Sequence, residues 1–160
     1  MSASASATAR RLAAAALAAG ALVSVAALPA SAADHARPAQ PKVKISAVQY
    51  DSPGRDDRSN RSLNSEWVEL TNTTRQSVNL NGWTLKDESG HTYTFDRYRL
   101  AGRATVRIHT GVGRDTRTDL YQDRRAYVWN NDHDTATLRN DRGRFVDDES
   151  WGHRRGGNRH

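Results

Sequence analysis

The chain is 160 residues long, contains no cysteine, and carries 24 basic against 18 acidic side chains for a formal charge of +6. A chain without cysteine has neither disulfide staples nor a lipid-modified cysteine anchor. The charge excess sits at the ends: residues 44–149 hold 17 basic and 17 acidic side chains. The central region therefore has no bulk charge with which to attract phosphates, and nucleic-acid binding by it is disfavoured.

Residues 1–32 read as an export signal. Arg10 and Arg11 precede an Ala/Leu run from Leu12 to Leu28, and Ala30-Ser31-Ala32 supplies a small-x-small pattern, so cleavage is expected between Ala32 and Ala33. The paired arginines suit the twin-arginine route as well as the general one, and general secretion is the favoured reading. The 128 residues that remain suffice for one domain with a single core. Residues 33–42, with Pro38 and Pro41, read as a linker, residues 43–152 as the domain, and residues 153–160 as a disordered basic tail. With no second hydrophobic span after residue 32, the mature protein is expected to be secreted, extracellular and monomeric.

Val43, Ile45, Val48 and Tyr50 outline the first strand, and the change from odd to even apolar positions near Ala47 predicts a bulge. Asp51 to Asn64 lacks an apolar period and reads as a long, disordered surface loop. In the next strand Val68 and Leu70 point to one face, Trp67 and Glu69 to the other. Trp83 and Leu85 share a strand face, with Trp83 expected in the core, and the turn from Lys86 to Gly90 leads into a strand bearing Tyr93 and Phe95. Val106 and Ile108 alternate with Arg107 and His109, after which Arg114 to Arg125 reads as a polar connection. The last strands are expected over Ala126–Trp129, Thr135–Arg139 and Arg144–Val146, with a turn over Asp141–Gly143. Seven or eight short strands and no helix after the signal predict an all-β antiparallel sandwich.

Several of these segments together carry a family resemblance. Glu66-Trp67-Val68-Glu69-Leu70-Thr71-Asn72, Val78-Asn79-Leu80-Asn81-Gly82-Trp83-Thr84-Leu85, Leu100-Ala101-Gly102 and Trp129-Asn130-Asn131 with Asp134-Thr135-Ala136-Thr137-Leu138 resemble the lamin-tail domain. The resemblance implies an immunoglobulin-like sandwich and a non-catalytic module of the kind found in nuclear lamins and in many secreted bacterial proteins.

The residues that could carry chemistry are sparse. His91, His109 and His133 belong to no metal-ligand spacing and accompany no nucleophile elbow, so they read as structural. Asn130 to Asp134 and Asp147-Asp148-Glu149 are rich in oxygen ligands of the kind calcium uses, but Asn and Asp also dominate tight turns. The leading expectation is a non-enzymatic binding or structural module, without a cofactor or bound metal, that engages a protein or cell-envelope polymer. Trp67 and Glu69 are its candidate surface residues, because an aromatic beside a carboxylate on an outward sheet face can anchor a partner. Arg154 and Arg155 in the tail could add weak attraction to anionic polymers or nucleic acid. The alternative is a metal-dependent hydrolase built on Asp132, His133 and Asp134.

Overall fold

The structure, a computed structural model, describes residues 40–152. The expected export signal with its Ala32/Ala33 cleavage site, the first residues of the expected linker, and the basic tail with Arg154 and Arg155 lie outside the described residues. The last linker residues are pinned to the domain: the Thr73 hydroxyl donates to the Pro41 carbonyl at 2.8 Å, and its N–H donates to the Lys42 carbonyl at 2.9 Å.

Among the described residues, ten strands and one short helix follow in order: β1 (Val43–Gln49), α1 (Asn60–Asn64), β2 (Trp67–Asn72), β3 (Val78–Asn79), β4 (Thr84–Lys86), β5 (Thr92–Thr94), β6 (Arg99–Leu100), β7 (Thr105–His109), β8 (Asp119–Tyr121), β9 (Asp134–Arg139) and β10 (Phe145–Trp151). They form a four-stranded sheet in the order β1-β2-β7-β8, a second in the order β10-β9-β4-β5, and a small β3-β6 pair. This is an immunoglobulin-like β-sandwich.

The strand alternation sets the core directly. Val68 and Leu70 of β2, Val106 and Ile108 of β7, Leu85 of β4, and Ala136 and Leu138 of β9 are all buried in one cluster with Leu80, Phe95 and Leu100. The bulge expected near Ala47 is present, as the β1/β2 register shifts between Ile45 and Ala47. A second bulge lies between Phe145 and Asp147 of β10, and there the Asp147 carboxylate accepts the Ile45 N–H at 2.8 Å. A backbone donor on the exposed edge of the first sheet is thereby satisfied by the second sheet, which protects that edge from pairing with another chain.

Four expectations are corrected. The segment from Asp51 to Asn64 is ordered: Ser59 caps α1 by accepting the Ser62 N–H, Leu63 is buried, and the Ser52 hydroxyl donates to the Ser62 carbonyl at 2.6 Å. One cap and one apolar anchor, too little to make a period, hold a single helical turn. The connection after β7 contains β8, whose Leu120 is buried and which pairs with β7 in parallel, so the sandwich is not antiparallel throughout. Ala126 to Trp129 is not a strand, because the Val128 and Trp129 N–H groups are taken by a side chain, that of Glu66. Trp83 is partly buried at the edge of the core, just before β4, while Trp129 is buried and packs edge-on against Trp151.

Glu66 is the most deeply buried acid among the described residues, at 0% exposure. Its Oε1 accepts the Thr110 hydroxyl at 2.5 Å, the Val128 N–H at 2.9 Å and the Trp129 N–H at 3.3 Å. Its own backbone N–H donates to the Leu63 carbonyl at 3.2 Å, and its carbonyl accepts the Thr110 N–H at 3.1 Å. Burial raises its pKa to about 7 despite these donors, with the negative charge of Asp56 contributing in the same direction. Because the folded value lies above the ordinary 4.5, the protonated form is favoured on folding. This group's favourable contribution is full below about pH 4.5, is lost as pH rises towards 7, and stays lost above it.

A Glu66→Gln variant keeps an acceptor for the loop amides but cannot ionise. The gap in unfolding free energy between the parent and the variant, followed by urea denaturation, should change by about 2–3 kcal/mol between pH 4.5 and 7, in the direction that weakens the parent. A gap that stays flat over that window would show that Glu66 does not titrate inside the fold.

Candidate ligand-binding face

The outward side of the β1-β2-β7-β8 sheet follows from the same alternation that builds the core. With Val68 and Leu70 turned inward, Trp67, Glu69 and Thr71 of β2 turn outward, as do Thr105, Arg107 and His109 of β7. The strand register then aligns them into rows. Gln49, Trp67, His109 and Tyr121 lie abreast across β1, β2, β7 and β8, and Ala47, Glu69, Arg107 and Asp119 form the adjacent row.

Within these rows the side chains are wired together. The Arg107 guanidinium lies 4.2 Å from the centroid of the Trp67 ring, and its Nε donates to Glu69 Oε2 at 3.1 Å. Glu69 Oε1 accepts the Ser46 hydroxyl at 3.0 Å, and the Thr71 hydroxyl donates to Ser46 Oγ at 2.8 Å. On the β8 side the His109 ring stacks on Tyr121 at 5.1 Å, with the planes 21° apart. Both His109 nitrogens are engaged, Nδ1 with the Asn64 carbonyl at 2.7 Å and Nε2 with Asp119 Oδ1 at 3.0 Å. Hydrogen bonds from Thr118 and then from His109 hold the Asp119 carboxyl below its ordinary value.

Trp67 and Glu69 are thus brought together, on the outward face the sequence assigns to them, and Arg107 bridges them. Arg107 and His109 were readable as outward residues from their alternation with Val106 and Ile108, but their partners depend on strand register. Tyr121 and Asp119 were not readable, since a lone buried Leu120 in a polar stretch does not announce a strand.

His109 has no free ring nitrogen with which to move a proton, so its contacts with Asn64 and Asp119 describe a tether between α1, β7 and β8. The cluster around Asp134 is also committed to structure. Its carboxylate accepts the backbone N–H groups of Glu88 at 2.9 Å, Asn130 at 3.0 Å and Thr135 at 2.8 Å, stapling the β9 turn to the β4 end. A groove of about 380 Å³ lies beside it, lined by Glu88, His133, Asp134, Asp148 and Trp151 among others. Among the described residues no group of three or more His, Cys, Asp or Glu is placed to hold a metal ion. The Asp147-Asp148-Glu149 run lies within strand β10 rather than in a loop, where its side chains alternate between faces instead of converging.

Residues 36–153 match the family model of the Lamin Tail Domain, and the chain belongs to this family. The lamin tail domain is an immunoglobulin-like binding and structural module. Comparison with curated proteins yields no match.

The contact of Arg107 with Trp67 predicts a measurable coupling. A double-mutant cycle with Trp67→Ala and Arg107→Ala, read by chemical denaturation, should return an interaction energy of about 0.5–1 kcal/mol, the range of exposed cation–π pairs. Additive effects would mean that the ring and the guanidinium do not hold one another.

Proposed function

We propose that this protein is a secreted, non-enzymatic module that binds a protein or envelope polymer outside the cell through the outward face of the β1-β2-β7-β8 sheet. The observation that carries the reading is the patch made by Trp67, His109 and Tyr121 of one row and Arg107 of the next, in which flat aromatic and guanidinium surfaces lie side by side on one sheet face. Such groups are the ones that contribute most to protein interfaces when a partner removes water from them. The export-signal pattern of residues 1–32 supports an extracellular setting. The full engagement of His109 and Asp134 in structural contacts supports a role without catalysis.

The test is capture from washed cell envelopes and from culture medium at low and moderate salt. The protein is compared with a form lacking residues 153–160 and with a Trp67→Ala/Arg107→Ala form. The expected result is salt-resistant capture that survives loss of residues 153–160 and drops about tenfold or more in the double variant. Capture that requires residues 153–160 and disappears as salt rises would overturn the reading in favour of electrostatic adsorption by the basic tail.

A further inference from the structure

A second place on the molecule combines a positioned imidazole with unpaired positive charge. The turn between β4 and β5 is organised by Asp87, whose side chain has 0% exposure. Asp87 Oδ1 accepts the N–H of Gly90 at 2.7 Å and of His91 at 2.6 Å, and Oδ2 lies 2.6 Å from His91 Nδ1. Gly90 sits at φ +103°, a backbone state that side-chain-bearing residues rarely adopt, and this lets the chain fold back over the carboxylate. An ionised carboxylate can only accept, so the ring proton resides on Nδ1 and the imidazole is fixed in orientation. Nε2 has no partner among the described residues, and the ring is 44% exposed.

His91 lines a groove of about 300 Å³ with Arg124, Arg125, Ala126 and Tyr127. Arg124 is held there by neutral acceptors alone: its Nη2 donates to the Thr92 carbonyl at 3.2 Å and its Nε to Gln122 Oε1 at 3.3 Å. The Tyr127 hydroxyl is occupied, 2.7 Å from Ser62 Oγ, so its ring serves as wall. Neither arginine has a carboxylate within ion-pair distance among the described residues. The acid nearest in sequence, Asp123, does not line the groove, and its charge acts on Tyr93, whose hydroxyl pKa it helps to raise after burial and Asp115.

The geometry points to an oxyanion site in this groove, for a phosphate-type group held between Arg124, Arg125 and His91 Nε2. The guanidinium N–H groups of Arg125 and those Arg124 leaves uncommitted offer more donors than the two oxygens of a carboxylate can use, and together with the open imidazole edge they suit the oxygens of a tetrahedral anion. The protons balance in either state of the ring. A neutral His91 accepts from a protonated phosphate oxygen through Nε2, and an imidazolium donates to an unprotonated one. Asp87 holds the ring without competing for the ligand, because its own oxygens are committed within the turn. His109, with both nitrogens bonded, lacks this opening. The groove shares none of its lining residues with the Trp67 and Arg107 face and does not depend on the proposed role of that face.

Histidine-ring NMR of the full chain, titrated with inorganic phosphate and in parallel with chloride at matched ionic strength, tests the assignment. The His91 ring signals should shift saturably with phosphate alone while those of His109 stay in place. An Arg124→Gln/Arg125→Gln variant should weaken the phosphate response about tenfold or more, and its unchanged His109 signals would report an intact fold. Repeating the titration with poly(glycerol phosphate) separates sources: tighter binding per phosphate than the free ion marks a polymer ligand, and equal binding marks a small one. The proposal is overturned if His91 does not respond, if chloride produces the same response, or if the double variant binds phosphate as the parent does.

Discussion

The constraint on which the rest of this sandwich depends is the burial of the Glu66 carboxyl. A carboxyl removed from water must be hydrogen-bonded or neutral, and this one is placed to satisfy the amides of a loop that makes no ladder. Residues 126–129 form no strand, so the Val128 and Trp129 N–H groups have no ladder partner. Glu66 Oε1 supplies the acceptor and also takes the Thr110 hydroxyl, so one oxygen ties together the start of β2, the exit from β7 and the loop before β9. Trp129 is then held where it can meet Trp151, which in turn stacks on Tyr50 at 4.9 Å. A polar contact of high energetic cost therefore holds Trp129 in the core, where it joins Trp151 and Tyr50 in an aromatic cluster.

Asn72 does comparable work at the far end of the same strand. It is fully buried, its Nδ2 faces the carbonyls of Gln76, Leu100 and Ala101, and its Oδ1 accepts the Thr74 N–H and hydroxyl. β2 thus carries a buried polar anchor immediately before its first residue and another at its last, with Val68 and Leu70 between them in the core. The outward residues Trp67 and Glu69 are held on a strand whose two ends cannot slip, since a one-residue shift would move both anchors and invert every face. This is the physical reason the outward side chains of β2 keep a fixed place on the sheet.

Where side chains alternate strictly, the sequence made the structure legible. Val68/Leu70 and Val106/Ile108 define both the core and the outward positions of β2 and β7, and the odd-to-even shift at Ala47 locates a real bulge. The lamin-tail resemblance and the strand count agree because the same residues carry both. Legibility fails where a side chain replaces a backbone partner. Ala126 and Val128 alternate as a strand would, yet their neighbourhood is set by Glu66, sixty-odd residues earlier in the chain. It fails again where one residue holds an element alone, as Leu63 does for α1 and Leu120 does for β8. Trp67 and Glu69 could be named from the sequence, but the guanidinium between them could not, because adjacency across strands is a property of register.

The two Asp–His pairs show how little of a histidine's role is contained in its identity. His109 and His91 each lie beside an aspartate, and neither has a sequence neighbourhood that suggests chemistry. The His109 ring is bonded on both edges and stacked on Tyr121, so its polar capacity is exhausted in joining α1, β7 and β8. The His91 ring is bonded on one edge only, by a carboxylate that is itself buried and bonded to two backbone N–H groups of the same turn. Fixing one edge of an imidazole lowers the entropic cost of using the other, which is how second-sphere carboxylates prepare histidines elsewhere in protein chemistry. Arg124 and Arg125 add positive charge on that open side with no carboxylate paired to it among the described residues. In a domain whose charges cancel as a whole, this local excess gives the β4–β5 end a chemical character distinct from the aromatic face.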